Sequence, residues 1–300
     1  MTDTLDSAPV DESSPHLARL RATVAAGADL IPAHRYFGTR ITEVAPGHAV
    51  YAQRVDGRIL DEAGRLAPGT LFIAIDGALG SAVASTVPAG KVMTTLEIHA
   101  HFLRLGRPAG ERLHLWGRVD HASARSVISS GEVVEAEGGA VIAYVSTKCA
   151  LLTVPPSPRP APVSAPLAAP DPTTTTSSPD WRPYLRLRTA DVCAAAATLT
   201  AVADPSLINS RGQIQGGVLA MLAERAMSAA LDEASPTPAG AAVDGETFDF
   251  TFVRSIPGDG SALTATAEVE HPGRRFAVAR AVVADAAGRT LVLARASRLR

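Results

Sequence analysis

Cysteine is scarce in this chain. Only Cys149 and Cys193 occur among its 300 residues, far apart and without a CxxC spacing, which argues against a disulfide framework and against cysteine-pair zinc sites. Both are expected to be buried free thiols. Charge of one sign is just as thin. The formal net charge is -2 and the arginines are scattered, so there is no basic tract of the kind that holds nucleic acid, although a small phosphate-bearing ligand is compatible with this distribution. No apolar run is long enough to span a membrane. The amino-terminal MTDTLDSAPVDESSP lacks the basic and apolar blocks of a signal peptide. These absences lead us to expect a soluble cytoplasmic protein with a disordered leader and with neither a nucleic-acid nor a membrane partner. Also missing are a GxSxG elbow, a Walker A loop, a GxGxxG turn and an HExxH helix.

What is present is ample apolar material, 46% of the residues, enough for two ordinary domains or one large one. A linker decides between them. Residues 155–180, PPSPRPAPVSAPLAAPDPTTTTSSPD, hold nine of the 22 prolines and almost nothing that could pack in a core, which reads as an exposed, semi-stiff connector. The chain therefore divides into a leader (1–29), in which HLARLRATVAAG reads as an amphipathic helix, a first module (30–154), the linker (155–180) and a second module (181–300).

The two modules read as copies of each other. A shift of 148 lays GRLAPGTLFIAID (64–76) over GQIQGGVLAMLAE (212–224), matching Gly64 with Gly212, Gly69 with Gly217, Leu71 with Leu219 and Asp76 with Glu224. A shift of 150 lays IHAHFLR (98–104) over FDFTFVR (248–254), matching Phe102 with Phe252 and Arg104 with Arg254, and VDHASAR over VEHPGRR. In each copy a glycine-containing loop feeds one long apolar helix, TLFIAIDGALGSAVAST or VLAMLAERAMSAALDEA. Strands follow, at roughly 92–104, 111–121, 125–136 and 140–152, and again at 245–255, 261–270, 275–285 and 289–299. AVYAQRV and AAAATLTAV read as earlier strands. Alternation predicts Leu96, Ile98, Ala100 and Phe102 on the buried face and Thr95, Glu97, His99 and His101 on the other. A helix that is apolar nearly all round can hide only if a sheet wraps it. The predicted class is α+β, with an antiparallel sheet wrapped around a long central helix in each of two tandem modules, packed as an intramolecular pseudo-dimer.

This arrangement resembles the hotdog-fold acyl-CoA thioesterases, in particular the group that includes the phenylacetyl-CoA-pathway enzymes. That family carries an Asn, six residues later a His-Gly-Gly, and an acidic residue nine places after the His. Asn209, Gln215, Gly216, Gly217 and Glu224 stand at those spacings, with Gln215 in place of the His. In the first module Asp61, Ala67, Pro68, Gly69 and Asp76 fill the same places, and only Gly69 and Asp76 keep the pattern. TTLEIHAHFLR is similar to a strand of the same family. The resemblance implies sites shared between modules, Asn209, Gln215, Gly216 and Gly217 working with Asp76, and Asp61, Ala67 and Gly69 with Glu224. It also implies a small-molecule acyl-CoA substrate, a role in lipid metabolism, and no cofactor beyond the coenzyme A of the substrate. Homo-oligomers of double chains stay open.

Thioester hydrolysis needs donors for a developing oxyanion and a carboxylate to activate water or attack the carbonyl. Gly217, at a helix amino terminus, is the candidate donor, because its N–H is unpaired within the helix and feels the positive end of the dipole. Asp76 is the candidate base or nucleophile: it is the sole charge in its helix, too far in to cap it, and burial should raise its pKa. Each candidate also has a plain structural reading. Glu224 precedes Arg225 and suits an ion pair, Asn209 and Asp61 suit turns, and Gly216 and Gly217 suit a tight entry to the helix. Gln215 could orient substrate, and Arg104 and Arg254 could meet coenzyme A phosphates or simply be solvated. His99 and His101 share a face with Glu97, but no context supports a metal site. Two other functions stay open, an enoyl-CoA hydratase or dehydratase and a non-catalytic acyl-CoA binding protein.

Overall fold

A computed structural model of the chain describes residues 14–27, 31–153, 185–193, 195–234 and 245–299. Most of the predicted leader and all of the predicted linker lie outside these residues. The helices are α1 (Pro15–Ala26), α2 (Pro32–Phe37), α3 (Pro68–Ala84) and α4 (Gly216–Ala234). The first six strands are β1 (Thr39–Ala45), β2 (His48–Arg54), β3 (Lys91–Phe102), β4 (Arg112–Ala122), β5 (Ser126–Glu135) and β6 (Val141–Thr153). The other six are β7 (Arg188–Cys193), β8 (Ala196–Val202), β9 (Glu246–Phe252), β10 (Ala262–His271), β11 (Phe276–Asp285) and β12 (Thr290–Leu299).

All twelve strands form one antiparallel sheet in the order β1-β2-β4-β5-β6-β3-β9-β12-β11-β10-β8-β7. Each half contributes six neighbouring strands, so the seam is β3 against β9. Its register pairs Ile98 with Phe250, His99 with Asp249 and Ala100 with Phe248. His99 and Asp249 are also equivalent under the repeat shift of 150. A residue that faces its own repeat equivalent lies on the pseudo-two-fold axis, and this pair marks it. Here His99 Nδ1 sits 2.6 Å from Asp249 Oδ1.

The sheet curls around α3 and α4, which pack on each other across that axis. Nearly every α3 residue from Pro68 to Val83 is buried, with Asp76 the exception. Phe72 lies at the centre of the junction, its ring edge-on to Phe102, Phe248 and Phe250 at centroid distances of 5.9, 5.8 and 4.7 Å. Edge-to-face pairs of this kind add ~0.5–1.5 kcal/mol each beyond the area they bury. Gly217 is a glycine for a packing reason, since a Cβ there would lie 2.6 Å from Ile73 Cα and closer still to the Phe72 carbonyl. The first turn of α4 thus rests directly on the backbone of α3.

Three elements went unread in the sequence. α2 is only six residues long, too short for a helical period to register, and the edge strands β1 and β7 alternate weakly. A β-bulge between Thr95 and Glu97 also corrects the alternation predicted for β3. The extra residue reverses the faces upstream of it, so Thr95 turns toward the helices instead of away.

The thiols differ from expectation as well. Cys149 is buried, but Cys193 is exposed at the end of edge strand β7. Burial, with the charge of Asp76 nearby, pushes the Cys149 thiol up to about 12. A disulfide reagent at neutral pH should therefore titrate one thiol rapidly in the native protein and the second only after denaturation. Rapid reaction of both would contradict the packing around β3 and β6.

Candidate active site

The first composite site assembles where α4 meets the middle of α3. Asp76 projects from α3 into the wall of a cavity of about 1030 Å³ that Gln215, Gly216 and Asn209 also line. Its Oδ2 accepts the Gly217 N–H at 3.1 Å, and its Oδ1 accepts the Thr95 hydroxyl at 3.2 Å. The amino end of α4 therefore points at the carboxylate, and the helix dipole favours negative charge there. Burial is the larger influence and raises the Asp76 pKa. The Gly217 N–H, the Thr95 hydroxyl and the Gly216 N–H pull the other way.

Gln215, immediately before α4, is buried and reaches across to the first module. Its Nε2 donates to the Ile73 carbonyl at 3.2 Å and lies 2.7 Å from His34 Nε2. Its Oε1 is buried with no hydrogen-bond partner among the described residues. His34 sits on α2 with no solvent exposure, edge-on to Tyr51 at 5.5 Å, and Tyr51 in turn shares a hydrogen bond of 2.9 Å with Ser81. Sequence reading missed His34, Thr95 and Tyr51. Nothing in a six-residue helix marks His34, whose partner is 181 positions away, and the bulge hid Thr95.

Asn209 and Asp61 occupy equivalent loops and do equivalent work there. Asn209 Oδ1 accepts the N–H of Arg211 at 2.8 Å, and Asp61 Oδ1 accepts the N–H groups of Ala63 and Arg65 at 2.9 and 2.8 Å. Both are Asx-turn formers, and of the two only Asn209 borders the cavity. Arg254 borders it too, with Nη1 on the Thr290 carbonyl at 2.9 Å. Arg19, Arg211 and Arg289, all exposed, join Arg254 around the same cavity. Arg104 does not border it, and pairs with Glu135 at 3.2 Å.

The second composite site is filled by an ion-pair network. Glu224 faces Gly69, where a Cβ would run into its carboxylate, but both of its oxygens are taken. Arg225 reaches them at 2.8 and 3.1 Å and the Ser228 hydroxyl at 2.6 Å. Arg298 continues the network to Ser228, Glu246 and Asp232. Burial raises the Glu246 pKa while Arg298 lowers it, with the net direction upward. Pro68, the first residue of α3, brings no N–H to the position equivalent to Gly216. Among the described residues no group of three or more His, Cys, Asp or Glu side chains could hold a metal ion, and no helix is long and apolar enough to cross a membrane.

Comparison with known proteins adds to this geometry. Residues 63–142 match the family model of the Thioesterase superfamily. No curated protein matches the sequence. Among solved structures, the chain is similar to a TesB protein of Mycobacterium avium subspecies paratuberculosis, at 12% identity and a TM-score of 0.59, over 95% of this chain and 98% of that one. It is also similar to an acyl-CoA thioesterase II, TesB2, of Mycobacterium marinum, at 13% identity and a TM-score of 0.56, over 89% and 98%. A thioesterase-like protein of Novosphingobium aromaticivorans aligns at 16% identity and a TM-score of 0.56, over 85% and 99%. At such identities the likeness establishes a shared double-hotdog fold.

Two stability outcomes follow. A carboxylate whose pKa is raised by folding destabilises the fold when ionised; that cost is complete above the folded pKa and disappears as pH falls below the unfolded one. Asp76→Asn should therefore raise Tm at pH 7, by about 2–4 °C, with the gain shrinking in acid, and a lowered Tm at pH 7 would contradict this. Arg225→Ala should do the opposite, costing about 3–5 kcal/mol in urea unfolding because it strands Glu224 in the core. An unchanged urea midpoint would mean that Glu224 has another counter-charge.

Proposed function

We propose that this double-hotdog chain, whose first module carries the Thioesterase superfamily match, hydrolyses acyl-CoA thioesters at one composite site built on Asp76. The observation that carries the reading is the convergence, on one cavity wall, of a carboxylate and the amino end of a helix from the other module. Thioester hydrolysis needs both. Water adds to the carbonyl carbon as Asp76 takes one of its protons. The tetrahedral oxyanion then collapses, the C–S bond breaks, and Asp76 returns the proton to the departing sulfur.

The helix terminus serves two anions in turn. With Asp76 ionised, the Gly217 N–H is held by its carboxylate. Once Asp76 is protonated it no longer needs a charge-assisted bond, and the negative charge has moved to the thioester oxygen. The N–H groups of Gly216 and Gly217 then act as the oxyanion donors, still at the positive end of the dipole. The Gln215 Oε1, without a partner among the described residues, supplies an acceptor for the second proton of the attacking water. Thr95 keeps the Asp76 carboxylate turned toward it. The arginines around the cavity, Arg19, Arg211, Arg254 and Arg289, give phosphate groups of coenzyme A a place to bind.

The network at Glu224 supports a single working site rather than two. Both oxygens of that carboxylate are committed to Arg225 and Ser228, and its facing loop lacks the paired glycines. Glu224 is on this reading a buried ion-pair partner, not a catalyst. No cofactor is required, and a cytoplasmic location is part of the same proposal.

Thiol release from a panel of acyl-CoA esters tests it. Wild-type protein should release coenzyme A. Asp76→Asn should lower kcat by about a hundredfold or more, while Glu224→Gln should stay within about threefold of wild type. Undiminished turnover in Asp76→Asn would overturn the assignment, hydration of crotonyl-CoA without thiol release would make the protein a hydratase, and saturable binding without turnover would make it a binding module. Because Asp76 must be ionised to accept a proton and its pKa is raised, kcat should fall on acidification at a pH above the ordinary aspartate value of 3.8.

A further inference from the structure

We infer that His34 is a positioning residue for hydrolysis, acting through Gln215 to hold the amide oxygen where the attacking water needs an acceptor. The inference rests on the thioesterase reading and adds to it a residue from a third element, α2. Its basis is a donor and acceptor count. Gln215 Nε2 lies 3.2 Å from the Ile73 carbonyl, so the amide nitrogen must point there, since the flipped amide would set two oxygens against each other. The same nitrogen lies 2.7 Å from His34 Nε2. An amide nitrogen only donates, so His34 Nε2 must accept, and the imidazole is neutral with its proton on Nδ1.

The pair of acceptors, Ile73 O and His34 Nε2, uses both N–H bonds of the Gln215 amide. The amide plane is thereby fixed and Oε1 is left as a buried acceptor without a partner among the described residues. Such an oxygen is costly unless something donates to it. Gln215 and Asp76 line the same cavity, and a water molecule entering between them, donating one proton to the Asp76 carboxylate and the other to Oε1, would meet that need and leave its lone pair for the thioester. His34 does not itself touch the water or the substrate in this arrangement. Its ring is held edge-on by Tyr51 and packs against Gly77, where a Cβ would lie 2.9 Å from Cε1.

A double-mutant cycle on the full chain tests this. His34→Phe keeps a ring in the same place and removes the acceptor, Gln215→Ala removes the group through which His34 acts, and both are combined. Each variant is measured for kcat and KM by coenzyme A release from the acyl ester that wild type hydrolyses best, and for Tm. His34→Phe alone should lower kcat by about tenfold or more with KM within about twofold. In the Gln215→Ala background the same substitution should change kcat by less than about twofold. His34→Gln, which restores an acceptor, should recover part of the loss and serves as the second variant where the Phe ring fits poorly. An equal loss in both backgrounds, or no loss in the wild-type background, would overturn the role of His34 while leaving hydrolysis standing. Failure of wild type to release thiol from any ester would overturn both.

Discussion

A carboxylate placed in the middle of an apolar helix can stay ionised only if something compensates for the water it has lost. For Asp76 that compensation comes from the other module, through the amino end of α4 and the Gly217 N–H. The contact depends on how the two halves meet. Antiparallel pairing of β3 with β9 places the pseudo-two-fold axis at His99 and Asp249, and the two long helices are carried across it until α4 touches the backbone of α3. Gly217 then has two functions at once: it leaves room for the close approach at Phe72 and Ile73, and its N–H meets the carboxylate.

The same symmetry makes a second contact, and there the chemistry diverges. Glu224 is presented to the first turn of α3 as Asp76 is to that of α4, but it is one carbon longer and is met by Arg225, Ser228 and the Arg298 network. Both carboxylates lie in the helix-packing layer. One is stabilised by neutral dipoles and one by full positive charge, and only the first stays free to take a proton. On the proposed reading, two copies of one fold yield one reactive carboxylate and one ion pair.

Much of this was legible in the sequence. The repeat set the two long helices and eight of the strands, because apolar periodicity and repeat spacing are local signals that survive divergence, and the family resemblance implied the pairing of Asp76 with the loop of the other module. The six-residue α2 and the edge strands carry too little pattern to register. Thr95 was placed on the wrong face because a bulge is one residue long and alternation cannot foresee it. His34 was out of reach for a different reason: the loop carries Gln215 where the resemblance leads one to expect a histidine, and the imidazole that meets Gln215 comes from the other module. Asn209 and Asp61 suit turns by residue type, and their hydrogen bonds are those of turns, with Asn209 also bordering the cavity.

The central claim is one working site per double-hotdog chain, made by both modules together. Calorimetric titration of the full chain with a non-hydrolysable thioether analogue of an acyl-CoA measures that directly. The account predicts one equivalent bound per chain, with binding weakened by salt as expected for phosphates met by arginines. Two equivalents of equal affinity would contradict it, because the Glu224 site would then have to open.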